Sequence, residues 1–102
     1  LAALGLKAYR FSIEWARIEP SEGEFSASAL DHYQRCIHAC LQCGVEPVLT
    51  FHHFTAPLWV ARRGGMTSDA FPDLFARYCE TATRALSGFA TACTINELNV
   101  PI

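Results

Sequence analysis

The stretch "VEPVLTFHHF", residues 45–54, predicts a short β-strand that ends in two histidines. It is rich in β-branched and aromatic residues, and it follows Gly44, which ends a helical pattern. That pattern covers residues 28–43, where apolar side chains recur at helical spacing: Leu30, Tyr33, Ile37 and Leu41. A helix, a glycine and a strand therefore follow one another in the middle of the chain.

Strands are also predicted on both sides of this central unit. Upstream, "AYRFSIEW", residues 8–15, alternates apolar and polar residues with period two, which predicts a strand with one polar face. Downstream, a long loop at residues 55–66 contains a Pro and a Gly pair. A second helix follows at residues 68–86 with Ser68 as its cap, and its predicted buried side carries Phe71, Leu74, Phe75 and Tyr78. Residues 89–97 form the third strand. Strands that alternate with helices indicate an α/β fold with parallel strands.

The composition favours a soluble globular protein: 51% of the 102 residues are hydrophobic, 18% are charged and the net charge is −2. Lys and Arg total eight and are scattered, so we expect no nucleic-acid partner. No run approaches the roughly 18 to 20 apolar residues of a membrane span. The first residues also lack the pattern of a signal peptide, so we expect no membrane association and a cytoplasmic location. An odd number of cysteines, five, favours reduced thiols.

Two layouts fit the alternating order, an open doubly wound sheet and a (β/α)8 barrel. The first usually carries a Gly-rich turn after its first strand, whereas "WARIEP" stands there in this chain. The barrel is favoured because polar or aromatic residues end all three strands, where barrel active sites lie. These residues are Trp15, His52, His53, Asn96 and Glu97. We predict a partial (β/α)8 TIM barrel with about three strands and two to three helices.

Three stretches carry a family resemblance: "AYRFSIEWARIEPSEGEFS" (8–26), "GVEPVLTFHHFTAP" (44–57) and "CTINELN" (93–99). They resemble the second, third and fourth strand regions of glycoside hydrolase family 1, the retaining β-glucosidases and β-galactosidases. That family writes them as YRFSIxWxRIxP, GIxPxVTLxHxxxP and TxNEP. The chain also starts without Met, inside what we interpret as a helix end. We therefore expect residues 1–102 to be an N-terminal fragment of one glycoside hydrolase barrel domain.

The resemblance implies a role for each matching residue. Glu97 would be the general acid that protonates the glycosidic oxygen and then the base that activates water. Asn96 would hydrogen-bond the 2-hydroxyl of the sugar, and His53 a neighbouring hydroxyl. Arg10 would hold the nucleophilic carboxylate ionised, and Trp15 would belong to the pocket floor. Each residue also has a purely structural explanation, such as a solvated strand-end carboxylate for Glu97 or core packing for Trp15.

The implied substrate is a β-glycoside or oligosaccharide with a terminal β-linked sugar, and we expect no cofactor and no metal. In the family the nucleophile lies on the seventh strand, beyond residue 102, so we predict that the isolated chain is inactive. The alternative to an enzyme segment is a catalytically incomplete remnant or interaction fragment. Leu98, Phe54, Thr55 and Met66 depart from the family pattern. The preferred sugar therefore does not follow from the resemblance.

A different class of function comes from Cys36, Cys40 and Cys43, which have the C-x3-C-x2-C spacing of radical S-adenosylmethionine enzymes. Those enzymes hold an iron–sulfur cluster with three thiolates. The segment falls in a helical pattern, however, whereas the cluster motif needs an open loop at the end of a strand. We rank this alternative well below the glycosidase.

Overall fold

A computed structural model describes residues 5–97 and shows a three-stranded parallel sheet in the order β1-β2-β3. The elements are β1 (Ala8–Ser12), α1 (Trp15–Ile18), α2 (Ala27–Gln42), β2 (Glu46–His52), α3 (Leu58–Arg62), a 3-10 turn (Gly65–Thr67), α4 (Phe71–Ala85) and β3 (Thr91–Ile95). The predicted α/β fold with parallel strands is confirmed. The helix end expected at the start of the chain and the position of Leu98 lie outside the described residues.

The register of the strands brings their carboxyl ends to one edge of the sheet. Ser12 at the end of β1 is paired with Thr50, and His52 at the end of β2 is paired with Ile95. Because all three strands are parallel, the residues that follow them emerge on this same edge. The fold therefore collects the polar strand ends that the sequence predicted.

The core lies between the sheet and the helices and centres on two stacked aromatic rings. Trp15 stacks on Tyr78 of α4, with ring centroids 4.8 Å apart and an interplanar angle of 6°. Phe71 and Phe75 meet the Trp15 ring edge-on. The predicted buried side of the second helix is confirmed, since Phe71, Leu74 and Tyr78 are all buried.

Several predicted boundaries were wrong, including those of β3, which spans Thr91–Ile95. The first strand ends at Ser12, because the chain then turns into α1, where the amide of Ile18 donates to the carbonyl of Glu14. The predicted loop at residues 55–66 contains α3, which begins directly after Pro57, a residue suited to a helix start. Helix α4 begins at Phe71 instead of Ser68, because the Ser68 hydroxyl accepts a hydrogen bond in the turn before the helix.

Glu19 fastens the loop after α1 to the core, a role that no sequence pattern indicates. Its fully buried carboxylate accepts hydrogen bonds from Trp15 Nε1 (2.9 Å), the Gly23 amide (2.7 Å) and Arg77 Nη2 (2.8 Å). Buried charges are stable only when paired and hydrogen-bonded in this way. In residues 5–97, no helix has the length and apolar character needed to cross a bilayer.

Candidate active site

Arg10 links all three strands at the carboxyl edge of the sheet. Its Nε donates to Thr50 Oγ1 (2.7 Å) on β2, and its Nη2 donates to Asn96 Oδ1 (2.5 Å) directly after β3. The Asn96 amide also donates to the His52 carbonyl (2.7 Å). We call Arg10, Thr50 and Asn96 the polar clamp. Because the clamp uses Asn96 Oδ1 as an acceptor, the side-chain NH2 of Asn96 is the group left to donate to a ligand.

The two histidines at the end of β2 lie on opposite sides of the sheet. His53 is exposed, and its Nδ1 lies 3.3 Å from the hydroxyl of Ser12, on the same face of β1 as Arg10. His52 is 3% exposed and packs against the rings of Phe71 and Phe75. Successive side chains of a strand point to opposite faces, so only His53 is available at the site.

His52 is a core residue, and its hydrogen bonding is incomplete. Among the described residues its Nδ1 has no hydrogen-bond partner. Burial lowers the pKa of His52, an effect that the nearby carboxylate of Glu14 partly opposes. The ring is therefore held neutral beside the phenylalanines of α4.

Glu97 is an exposed carboxylate in the turn that follows β3, next to Asn96. Its φ angle is 47°, in the left-handed region that few non-glycine residues adopt. Strained backbone of this kind persists where the surrounding structure imposes it, and it clusters at active sites. The chain thus places an accessible acid group beside a fixed amide donor.

Trp15 does not lie where the resemblance implied. It is 1% exposed, one face of its ring stacks on Tyr78, and its N–H donates to Glu19. A side chain packed in this way has no surface to offer a sugar. The expectation that Trp15 belongs to the pocket floor is therefore not supported, and the reason is that the chain has already turned into α1 at this residue.

Two buried tyrosines, Tyr33 and Tyr78, bind the backbone near the carboxyl edge of the sheet from the helix side. The sequence predicts both only as buried residues of helices. The Tyr78 hydroxyl donates to the Phe51 carbonyl (2.8 Å) and lies 3.4 Å from the Ile13 carbonyl. The Tyr33 hydroxyl accepts from the amide of Glu14 (3.0 Å). Helical spacing finds such rings, but it carries no signal for what their hydroxyls bind.

The cysteines of the alternative hypothesis belong to a helix. Cys36 and Cys40 lie inside α2, and Cys43 is its C-cap, so the segment is not an open loop at the strand ends. Burial and the neighbouring thiols of Cys36 and Cys43 raise the pKa of Cys40. Within residues 5–97, no group of three His, Cys, Asp or Glu side chains is placed to hold a metal ion.

Comparison with known proteins finds relatives that are β-glucosidases. The family model described as Glycosyl hydrolase family 1 matches residues 1–102. Coniferin beta-glucosidase of Pinus contorta is 38% identical over 98% of this chain, and cytosolic beta-glucosidase of Cavia porcellus is 36% identical over 95%.

Solved structures agree with the sequence relatives. Beta-glycosidase BGL167 superposes with a TM-score of 0.95 at 54% identity, over 98% of this chain and 24% of that chain. A beta-glucosidase from Thermotoga maritima in complex with castanospermine gives 0.90 at 35% identity, over 94% of this chain and 22% of that one. The three strands and their helices are thus part of a (β/α)8 barrel.

The match covers nearly the whole chain but only a small part of each relative. The chain spans about a fifth of the length of the curated relatives, 20% of the pine enzyme and 21% of the guinea-pig enzyme. Both the family model and the superposed structures extend over the strands that carry the polar clamp and Glu97. The chain therefore belongs to glycosyl hydrolase family 1.

Proposed function

We propose that this chain supplies the acid/base half of the active site of a retaining β-glycosidase that acts on terminal β-linked sugars. The observation that carries the proposal is the placement of Glu97: an exposed carboxylate directly after β3, beside an asparagine that Arg10 holds in place. The relatives named above are β-glucosidases, which makes terminal β-glucosides the first substrates to test. The cytoplasmic location expected from the sequence stays a prediction.

Glu97 acts twice in the proposed reaction. It first protonates the glycosidic oxygen as the bond to the sugar breaks, and it then takes a proton from the water that releases the sugar. The nucleophile that traps the sugar between these steps is a second carboxylate about 5 to 5.5 Å away, outside this chain. An exposed, unburied acid suits the first role because the aglycone must reach it.

Asn96, directly after β3, and His53, directly after the central strand β2, bind hydroxyls of the sugar. With Oδ1 held by Arg10, the NH2 group of Asn96 donates to the 2-hydroxyl, a contact that strengthens as positive charge develops at the anomeric carbon. His53, exposed on the face of Arg10, binds a neighbouring hydroxyl.

Arg10 has two tasks in this scheme. Its guanidinium fixes Asn96 through the polar clamp, and its positive charge favours the ionised form of the nucleophilic carboxylate brought by the rest of the barrel. A planar guanidinium can do both at once because its donors point in fixed directions.

The isolated chain is expected to lack β-glycosidase activity. It carries one of the two carboxylates, and within residues 5–97 its three-strand sheet has two unpaired edges. The catalytically incomplete fragment therefore remains the second candidate function. Purified residues 1–102 incubated with an aryl β-glucoside test this directly, and turnover that Glu97→Gln abolishes would contradict it.

The acid/base role needs a complete barrel for its test. A suitable one is BGL167 with its matching segment replaced by residues 1–102, since the two segments are 54% identical and superpose closely. We call this protein the graft. Glu97→Gln in the graft is expected to lower kcat/KM by about 10² to 10⁴ for an alkyl β-glucoside, whose leaving group needs a proton.

The dependence on the leaving group separates acid catalysis from a general loss of structure. The dinitrophenolate of a dinitrophenyl β-glucoside leaves without being protonated. Glu97→Gln should therefore slow the cleavage of this glycosidic bond far less. The matched control is Glu80→Gln, which removes an exposed carboxylate that pairs with Arg84 on α4. Equal losses on both substrates, or an unchanged rate in Glu97→Gln, would refute the assignment.

A further inference from the structure

The hydroxyl of Tyr78 joins the ends of two strands beneath the candidate site. Tyr78 is fully buried on α4, and its one hydroxyl proton goes to the Phe51 carbonyl at 2.8 Å. The Ile13 carbonyl lies 3.4 Å from the same oxygen, so the bond to β2 is the stronger one. This hydroxyl therefore links α4 to the carboxyl end of β2, directly before the candidate site residue His53.

The carbonyl that Tyr78 binds belongs to the peptide unit joining Phe51 to His52. The orientation of that unit sets the direction in which the chain leaves β2, and His53 is the next residue. The path then bends sharply, because Phe54 has a φ angle of 66°, unusual for a non-glycine residue. A peptide held by a buried hydroxyl on one side of His52 thus constrains where the His53 ring stands.

The Tyr78 ring itself has little freedom. Trp15 stacks on one face at 4.8 Å, and Phe51 and Phe75 also contact the ring. Burial raises the pKa of Tyr78, so its hydroxyl keeps its proton and remains a donor. A donor on a rigid helix, locked by packing, can hold a site more precisely than a loop residue can.

We propose that Tyr78 is a positioning residue of the glycosidase site: its hydroxyl fixes the Phe51–His52 peptide so that His53 is presented to the sugar. The inference rests on the proposed function, because it assigns His53 a substrate hydroxyl. Tyr78 touches no substrate itself, so we expect its effect to pass mainly through His53.

The test is Tyr78→Phe in the graft, which keeps the ring stack and removes only the hydroxyl. We expect kcat on a β-glucoside to fall by about ten- to a hundredfold, as small misplacements of a binding group do, with KM changed less than about threefold. In a His53→Ala background the same change should have less than about a threefold effect, because the group that Tyr78 positions is gone.

The control removes comparable hydrogen bonds at the other end of the sheet. The Gln34 side chain accepts a hydrogen bond from the amide of Ser87 and donates one to the Ser87 carbonyl, just before β3. Gln34→Met should lower the thermal midpoint while leaving kcat unchanged, since that end of a barrel serves stability. A second variant, 4-aminophenylalanine at position 78, keeps an N–H donor and should hold kcat within about threefold of the parent.

Two results would overturn the inference. One is an unchanged kcat in Tyr78→Phe; the other is a loss that is equally large with and without His53, which would mark a purely structural role. If the Phe variant does not fold, a 4-aminophenylalanine variant that folds but loses kcat overturns it as well. A graft that stays active as Glu97→Gln refutes the proposed function instead, whatever Tyr78 does.

Discussion

Replacing Arg10 with methionine should disable the polar clamp while preserving the length of the side chain. The change removes the hydrogen bonds to Thr50 Oγ1 and Asn96 Oδ1, so the side-chain amide of Asn96 becomes free to rotate. The NH2 group of Asn96 would then no longer be held toward the sugar. We expect the loss to appear mainly in the transition state, where the 2-hydroxyl contact is strongest.

The magnitude follows from the two contacts. A hydrogen bond from a charged donor is worth about 1.5 to 3 kcal/mol, and the exposure of Arg10 to solvent reduces this to about 1 to 2 kcal/mol for each bond. Together they amount to about 2 to 4 kcal/mol, which corresponds to roughly a thirty- to thousandfold loss in kcat/KM. Arg10→Lys should recover little, because an ammonium group cannot reach both acceptors with a planar fork.

The assay is steady-state hydrolysis of a β-glucoside and its 2-deoxy analogue by the graft. Arg10→Met should lower kcat/KM more for the glucoside than for the 2-deoxy compound, which lacks the hydroxyl that we propose Asn96 binds. Arg35→Met is the matched control, since Arg35 makes an exposed hydrogen bond of 2.6 Å to Asp31 on α2. A folded Arg10→Met graft within about threefold of the parent would refute the reasoning.

Three further predictions concern the same graft. Its thermal midpoint should fall as the pH drops below about 6.5, because His52 binds a proton in the unfolded state but stays neutral when buried in the folded state. His52→Phe should lessen this fall, and an equal fall in that variant would contradict the prediction. Glu19→Gln should lower the free energy of unfolding by about 2 to 4 kcal/mol and lower the thermal midpoint, whereas Glu80→Gln, at an exposed position, should change neither. Maleimide mapped by mass spectrometry should label exposed Cys43 before Cys79, whose pKa burial raises to about 11; the reverse order would count against this.

The large elements of this chain are predictable because their signals repeat. Helices α2 and α4 span 16 and 15 residues, enough for the apolar spacing to recur several times. Helices α1 and α3 have four and five residues, which is little more than one turn each. A single turn offers no period to detect, so the sequence predicts a strand that runs up to Trp15 and a loop where α3 lies.

The site was predictable in outline for a topological reason. Parallel strands have their carboxyl ends at one edge, so the sequence predicts that His53, Asn96 and Glu97 lie near each other. The contacts themselves depend on register and on the spacing between helix and sheet. No local pattern reveals that Tyr78 reaches the Phe51 carbonyl, or that Trp15 turns away into the core.

The polar clamp also acts as a test of correct folding. Arg10 and Asn96 are 86 positions apart, and Arg10 and Thr50 are 40 apart, so the clamp closes only after the whole three-strand sheet has assembled. A slip of β1 along β2 by two residues would keep the same faces in contact but move Arg10 by about 6 to 7 Å, beyond reach of Thr50. A misregistered sheet could still bury its core, yet it would lack the ordered clamp on which the proposed sugar site depends. Misregistered molecules would therefore be inactive, and the glycosidase activity of a refolded graft would report only the molecules in the native register.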